Sequence, residues 1–182
     1  MTKKKVLGIS GSTRANSTNR QYILAFREIA KETMDVELFE DIAGLPAFNP
    51  DLDNESVPDV VTSFRKKIRG VDGVLICTPE YAMGIPGSLK NAIDWTVSSC
   101  EFSRKPVALI TASTSGAKGH KALIDVLNVI EAVPAKEEQL LIPFAKTKID
   151  ESNKIKDPAT FEQLRDLAHQ FYMKMTEANS AS

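Results

Sequence analysis

Five short apolar runs alternate with five stretches of helical spacing, and this alternation constrains the fold more than any other feature of the chain. Val6–Ile9, Val36–Phe39, Gly73–Cys77, Val107–Thr111 and Gln139–Ile142 read as strands. The run Gly73-Val74-Leu75-Ile76-Cys77 has no charged or amide interruption, as a strand covered on both faces requires. Between the runs, apolar residues recur every three or four positions, as in Val57, Val60, Val61, Phe64 and Ile68. Helices are expected over 18–33, from Val57 to Gly70, from Pro86 through Val97, over 120–131 and across Phe161–Met175. Such an α/β alternation predicts a doubly wound, five-stranded parallel sheet with helices on both faces. Right-handed crossovers and the strand order 2-1-3-4-5 are the simplest arrangement. Residues 1–182 are expected to form one domain.

In such sheets ligands bind beyond the carboxyl ends of the strands, between strands one and three. Three unusual loops, 10–19, 78–87 and 112–119, follow strands one, three and four and so converge on that edge. The first, Ser10-Gly11-Ser12-Thr13-Arg14-Ala15-Asn16-Ser17-Thr18-Asn19, carries five hydroxyls, two amides and one arginine into a helix start. Helix-start N–H groups favour an anion, and Arg14 can fork onto two phosphate oxygens. An ordinary N-cap accounts for one or two of these hydroxyls, not five. The loop lacks the third glycine of G-x-G-x-x-G. No G-x-x-x-x-G-K-[ST] occurs either, because Gly116-Ala117-Lys118-Gly119 has no hydroxyl after its lysine. A single terminal phosphate held without a metal fits best. In the second loop, Pro79, Tyr81, Met83, Ile85 and Pro86 offer a partly apolar wall for an aromatic ring system. A Pro/Gly loop that merely caps the next helix is the plainer alternative.

The formal net charge of −1 supplies no field for nucleic acid or an anionic membrane surface. No apolar run approaches membrane-spanning length, and no signal peptide precedes the first strand, so a cytoplasmic setting is expected. Cys77 is expected in the core and Cys100 in a polar loop, with neither a disulfide framework nor a metal motif. The helix holding Leu123, Ile124, Val126, Leu127, Val129 and Ile130 is too apolar for one buried face, which points to another subunit. His120 and His169 read as surface or cap residues. Lys90 and Asp94 are spaced to pair on a helix. The closing Asn-Ser-Ala-Ser is expected to fray.

Gly11-Ser12-Thr13-Arg14 with Ser17 and Asn19, then Pro79-Glu80-Tyr81, then Ile85-Pro86-Gly87-Ser88-Leu89-Lys90-Asn91-Ala92-Ile93-Asp94-Trp95, resembles the NADPH-dependent FMN reductase family. The resemblance implies a flavodoxin-like fold, an FMN cofactor and electrons from NADPH or NADH. It also implies a small acceptor such as a flavin or quinone, and a homodimer or homotetramer. Carried over by position, Ser10, Ser12, Thr13, Arg14, Ser17, Thr18 and Asn19 would surround the phosphate. Pro79, Glu80, Tyr81, Ala82, Met83 and Gly84 would line the ring. Ser113, Thr114 and Gly116 would close the other side. The flavin carries the chemistry, so no catalytic side chain and no metal are expected. One departure is Ala82, where many relatives have Asn. Asn91 is expected to hold the ring-binding turn, and Trp95 to meet a subunit or pack internally. Arg104 and Lys105 are candidates for a 2′-phosphate. The competing reading is a flavodoxin-type electron carrier with no NAD(P)H reaction of its own. A phosphate-binding regulatory domain without flavin is a third.

Overall fold

A computed structural model describes residues 2–132 and 134–180. Strands β1 (Lys4–Ser10), β2 (Met34–Phe39), β3 (Gly73–Thr78), β4 (Val107–Ala112) and β5 (Gln139–Ile142) form one sheet in the order β2-β1-β3-β4-β5. Every pairing is parallel, with Ile9 opposite Ile76 and Ile76 opposite Leu109. Helices α1 (Thr18–Ala30), α2 (Asp59–Arg69), α3 (Gly87–Asp94), α4 (Ala117–Val129) and α5 (Pro158–Ser180) make the crossovers and the closing segment. Order and direction are as expected of the flavodoxin-like sheet. No helix among the described residues is long and apolar enough to cross a membrane.

The period of two in the strands divides the interior into two cores. Leu75, Cys77, Ala108 and Ile110 face Tyr22, Ile23 and Phe26 of α1 and Leu164, Leu167 and Phe171 of α5. Their alternates Val74, Ile76, Val107 and Leu109 face Val61, Phe64 and Ile68 of α2, Leu89 and Ile93 of α3, and Leu123 and Leu127 of α4. β3 and β4 are buried at every residue, which is why their sequences show no alternation.

Several boundaries move for local reasons. α1 stops at Ala30, and residues 31–33 form the turn into β2. α4 begins three residues before His120, because Gly116 takes a left-handed φ of 93° just ahead of it. Val97 lies beyond the end of α3 and is exposed. α4 buries one face within the chain and leaves Val129 exposed on the side for which a second subunit was expected. α5 runs through Ser180, and the last two residues of the expected frayed tail lie outside the described residues.

The segment 45–53 is pinned from below. Trp95 is fully buried and its indole N–H donates to the Pro46 carbonyl at 2.8 Å, with Phe48 edge-on at 5.0 Å. Trp95 therefore packs internally. Asn91 accepts from the Phe48 N–H at 2.7 Å and donates to the Pro46 carbonyl at 2.9 Å. It thus holds this segment and not the Pro-Glu-Tyr turn. Lys90 and Asp94 do pair, at 2.6 Å. The deepest ion pair joins Arg65 to Asp53 at 2.6 Å, both side chains 9% exposed, while the Arg65 Nε donates to the Trp95 carbonyl at 2.7 Å. Burial pushes the Asp53 carboxyl up. The Ser98 hydroxyl and Arg65 outweigh it and hold the carboxyl below its usual range.

Arg65→Ala strands a buried carboxylate and is expected to cost about 3–5 kcal/mol, read from urea unfolding; a loss near zero would refute this role. A lowered carboxyl in the folded state adds stability above the unfolded-state value and loses it as the pH falls through the folded one. Asp53→Asn is therefore expected to flatten the acid limb of the stability profile.

Candidate functional site

The site begins where β1 and β3 end side by side. The Gly11 N–H donates to the Cys77 carbonyl at 2.8 Å. A Cβ at residue 11 would lie 2.4 Å from Thr78 Oγ1 and 2.9 Å from its Cβ, so only glycine lets the strand tips approach this closely. The chain then turns outward. The Ser10 hydroxyl donates to the Ser12 carbonyl at 3.2 Å and accepts from the Ser12 N–H at 3.3 Å. Ser10 is thereby committed to shaping the turn. Ser17 caps α1 by accepting from the Asn19 N–H at 3.2 Å. Asn19 is buried, and its amide nitrogen donates to the Thr78 and Ala112 carbonyls at 3.0 and 3.2 Å. It ties the start of α1 to the ends of β3 and β4. Arg14 is exposed and, among the described residues, pairs with no carboxylate.

The second wall is the loop after β3. Tyr81 and Gly84 exchange backbone hydrogen bonds of 3.0 and 2.9 Å across Ala82 (φ 48°) and Met83 (φ 63°). Two successive positive φ values make a type I′ turn, normally built from Asn and Gly. The loop is clamped onto α4. The Glu80 carboxylate accepts from the Gly119 N–H at 2.7 Å, and the Glu80 N–H donates to Ser113 Oγ at 3.3 Å. A Cβ at residue 119 would stand 3.0 Å from the Gly84 carbonyl oxygen. The Gly-Ala-Lys-Gly stretch is thus the seat of this turn. Lys118 reaches over to the Met83 sulfur at 3.2 Å.

The third wall joins the loops after β4 and β5. The Ala145 N–H donates to the Ser113 carbonyl at 3.0 Å, and the Phe144 N–H to the Thr114 carbonyl at 3.1 Å. From α1, the Tyr22 hydroxyl donates to the Ala145 carbonyl at 3.0 Å. Burial raises the Tyr22 phenol, with smaller contributions from Cys77 and Asp157, so it remains a donor at neutral pH.

These walls enclose a cleft of about 410 Å³, within the range of small-molecule sites. Of the expected residues, Ser12, Arg14, Ser17, Thr18, Asn19, Pro79, Glu80, Tyr81, Ser113 and Thr114 line it. Ser10 and Thr13 line a smaller hollow on the other side of the loop, beside Arg20 and Glu40. Ala82, Met83, Gly84 and Gly116 do not line the cleft; the first three complete the turn next to Tyr81. Phe144, Ala145, Lys146 and Thr147 line it and were missed by sequence reasoning. The available signal was their position directly after the fifth strand, on the same edge of the sheet.

Elsewhere, His120 is half-buried with Nδ1 2.7 Å from the Thr111 hydroxyl. Burial lowers its pKa against an opposing bond to Gln139, which keeps the ring neutral at neutral pH. It does not line the cleft. Arg104 and Lys105 precede β4, at the opposite edge of the sheet from the loops, and the Lys105 ammonium donates to the Val71 carbonyl at 2.8 Å. Cys77 is buried and Cys100 exposed, both unpaired.

Residues 4–147 match the family model for NADPH-dependent FMN reductase. The chain belongs to that family. An NAD(P)H-dependent FMN reductase of Pseudomonas aeruginosa is 34% identical, covering 88% of this chain and 89% of that protein. A quinone reductase of Escherichia coli is 31% identical over 89% and 90%. The fold matches that of a flavoenzyme NAD(P)H:(acceptor) oxidoreductase from Paracoccus denitrificans, with a TM-score of 0.79, 24% identity, and coverage of 96% and 98%. Family membership makes the chain an FMN- and NAD(P)H-dependent oxidoreductase and favours the enzyme over the electron carrier.

The strained pair in the type I′ turn gives a direct test. Ala82→Gly removes one left-handed alanine and is expected to stabilise the protein by about 1 kcal/mol in chemical denaturation. A destabilised variant would show that the turn is not adopted.

Proposed function

We propose that the cleft holds FMN with its phosphate in the 12–18 loop and its ring along Pro79–Tyr81, and that a quinone, a flavin or a similar small molecule is the terminal acceptor. One observation carries this reading: an arginine without a carboxylate partner among the described residues, three hydroxyls and a helix start face the same cleft as the Pro-Glu-Tyr wall. Ser12, Ser17 and Thr18 supply hydroxyl donors to a phosphate monoester, and Arg14 supplies the compensating charge. Asn19 and Ser10 shape this seat through their bonds to the backbone. Thr13 stands on its outer side.

Bound FMN would supply hydride acceptance and electron delivery. The protein's residues position it and leave one side accessible. Glu80 fixes the ring wall on α4, and Tyr22 fixes the opposing 144–147 loop through Ala145. Tyr81, 48% exposed, borders the open side, where nicotinamide and acceptor take turns. Ping-pong kinetics follow from that sharing.

We also infer that the 182 residues act as one flavin-binding domain, since a single sheet organises both cores. A homodimer or homotetramer is supported by exposed Phe48, Leu52, Val97 and Val129. Two unpaired cysteines suit a cytoplasmic setting.

The purified protein mixed with FMN is expected to show a flavin spectrum that bleaches with NADPH or NADH under anaerobic conditions. A spectrum unchanged by both nicotinamides would return the carrier reading. Arg14→Ala is expected to weaken FMN binding by roughly ten- to a hundredfold, measured by quenching of flavin fluorescence. Unchanged affinity would remove the phosphate from this loop.

A further inference from the structure

We propose that the flavin cleft continues past its phosphate end into a second, basic groove that accepts a nucleoside diphosphate extension, so that the chain binds a flavin dinucleotide as well as the mononucleotide. The inference rests on the flavin reading of the adjoining cleft.

The groove lies between the first turn of α1 and the connection from β5 to α5, and its volume is about 760 Å³. It shares Arg14, Thr18 and Lys146 with the flavin cleft, so the two spaces meet at the proposed phosphate seat. Arg14 also borders the hollow on the other side of the loop, but only this groove shares Thr18 and Lys146 with the flavin cleft, so this is the side onto which a second phosphate can extend along the cleft.

Three cations border the groove: Arg14, Lys146 and Lys156. Among the described residues none of them forms an ion pair with a carboxylate. Two acids also border it. Asp150 is held in place, its Oδ1 accepting from the Ser152 and Lys154 N–H groups at 2.8 and 2.9 Å, but it keeps its charge, so three cations face two carboxylates. Glu151 is exposed and leaves the cations in excess. The same walls hold what a nucleoside needs beyond charge. Asn16 and Gln21 present amides able to donate to and accept from a base edge or a ribose. A mononucleotide flavin would leave this space and its charges unused.

Lys156 borders the groove and not the flavin cleft, which separates the two claims. Flavin-free protein is titrated with FMN and with FAD, following fluorescence at low and high salt, for the wild type and for Lys156→Glu. FAD is expected to bind the wild type, and the variant is expected to lose about tenfold in FAD affinity at low salt, with the loss shrinking as salt rises. FMN affinity is expected to change less than twofold. Equal FAD affinity in the two proteins, or FMN binding without FAD binding, overturns the proposal and leaves the flavin cleft intact. Failure of both flavins to bind overturns the cleft reading and the extension with it. Adenosine 2′,5′-bisphosphate, added to FMN-loaded protein, is the remaining arm. If Lys156→Glu weakens that probe and not FAD, the groove serves the nucleotide end of the nicotinamide, and the dinucleotide proposal falls.

Discussion

The cleft depends on the close approach of the ends of β1 and β3, at Gly11 and Thr78. A side chain at residue 11 would overlap Thr78, and the strands would have to part. Because they do not, the 12–18 loop and the Pro-Glu-Tyr loop leave the sheet side by side. The Asn19 amide then ties α1 across the ends of β3 and β4. The cleft is therefore a consequence of sheet packing, and its first two walls are fixed relative to each other by backbone-scale contacts.

The remaining geometry is a matter of loops held by other loops. Glu80 reaches the first turn of α4, Ser113 receives the Glu80 N–H, and residues 113–114 are bonded to 144–145. Each loop of the edge leans on the next, and Tyr22 fastens the last of them to α1. Such mutual support is what lets Ala82 and Met83 remain in a left-handed conformation that is unfavourable for either alone. The same logic operates below, where Arg65, Asp53, Trp95 and Asn91 hold segment 45–53 against α2 and α3.

The charge on this edge is placed by the same architecture. Arg14, Lys146 and Lys156 come from two loops distant in sequence, yet they border connected spaces. A chain of almost neutral overall charge thus gathers three cations, against two carboxylates, along one edge of its sheet.

Strand number, parallel direction and the two helical layers were readable from the alternation of apolar runs with helical spacing, and the strand order from the simplest right-handed winding of such a chain. The first wall of the cleft was readable as well, since Ser12, Arg14, Ser17 and Thr18 are grouped at the start of a helix. Contacts between segments far apart in sequence were not readable. Nothing local marks Asn91 as a partner of Pro46 rather than of the turn that precedes its helix, or Gly119 as the seat for Glu80. The 144–147 wall escaped for the same reason. Local sequence determines which elements form and which residues stand at their ends. The distances between those ends are set by how the helices settle on a twisted sheet, and only the assembled tertiary structure decides them.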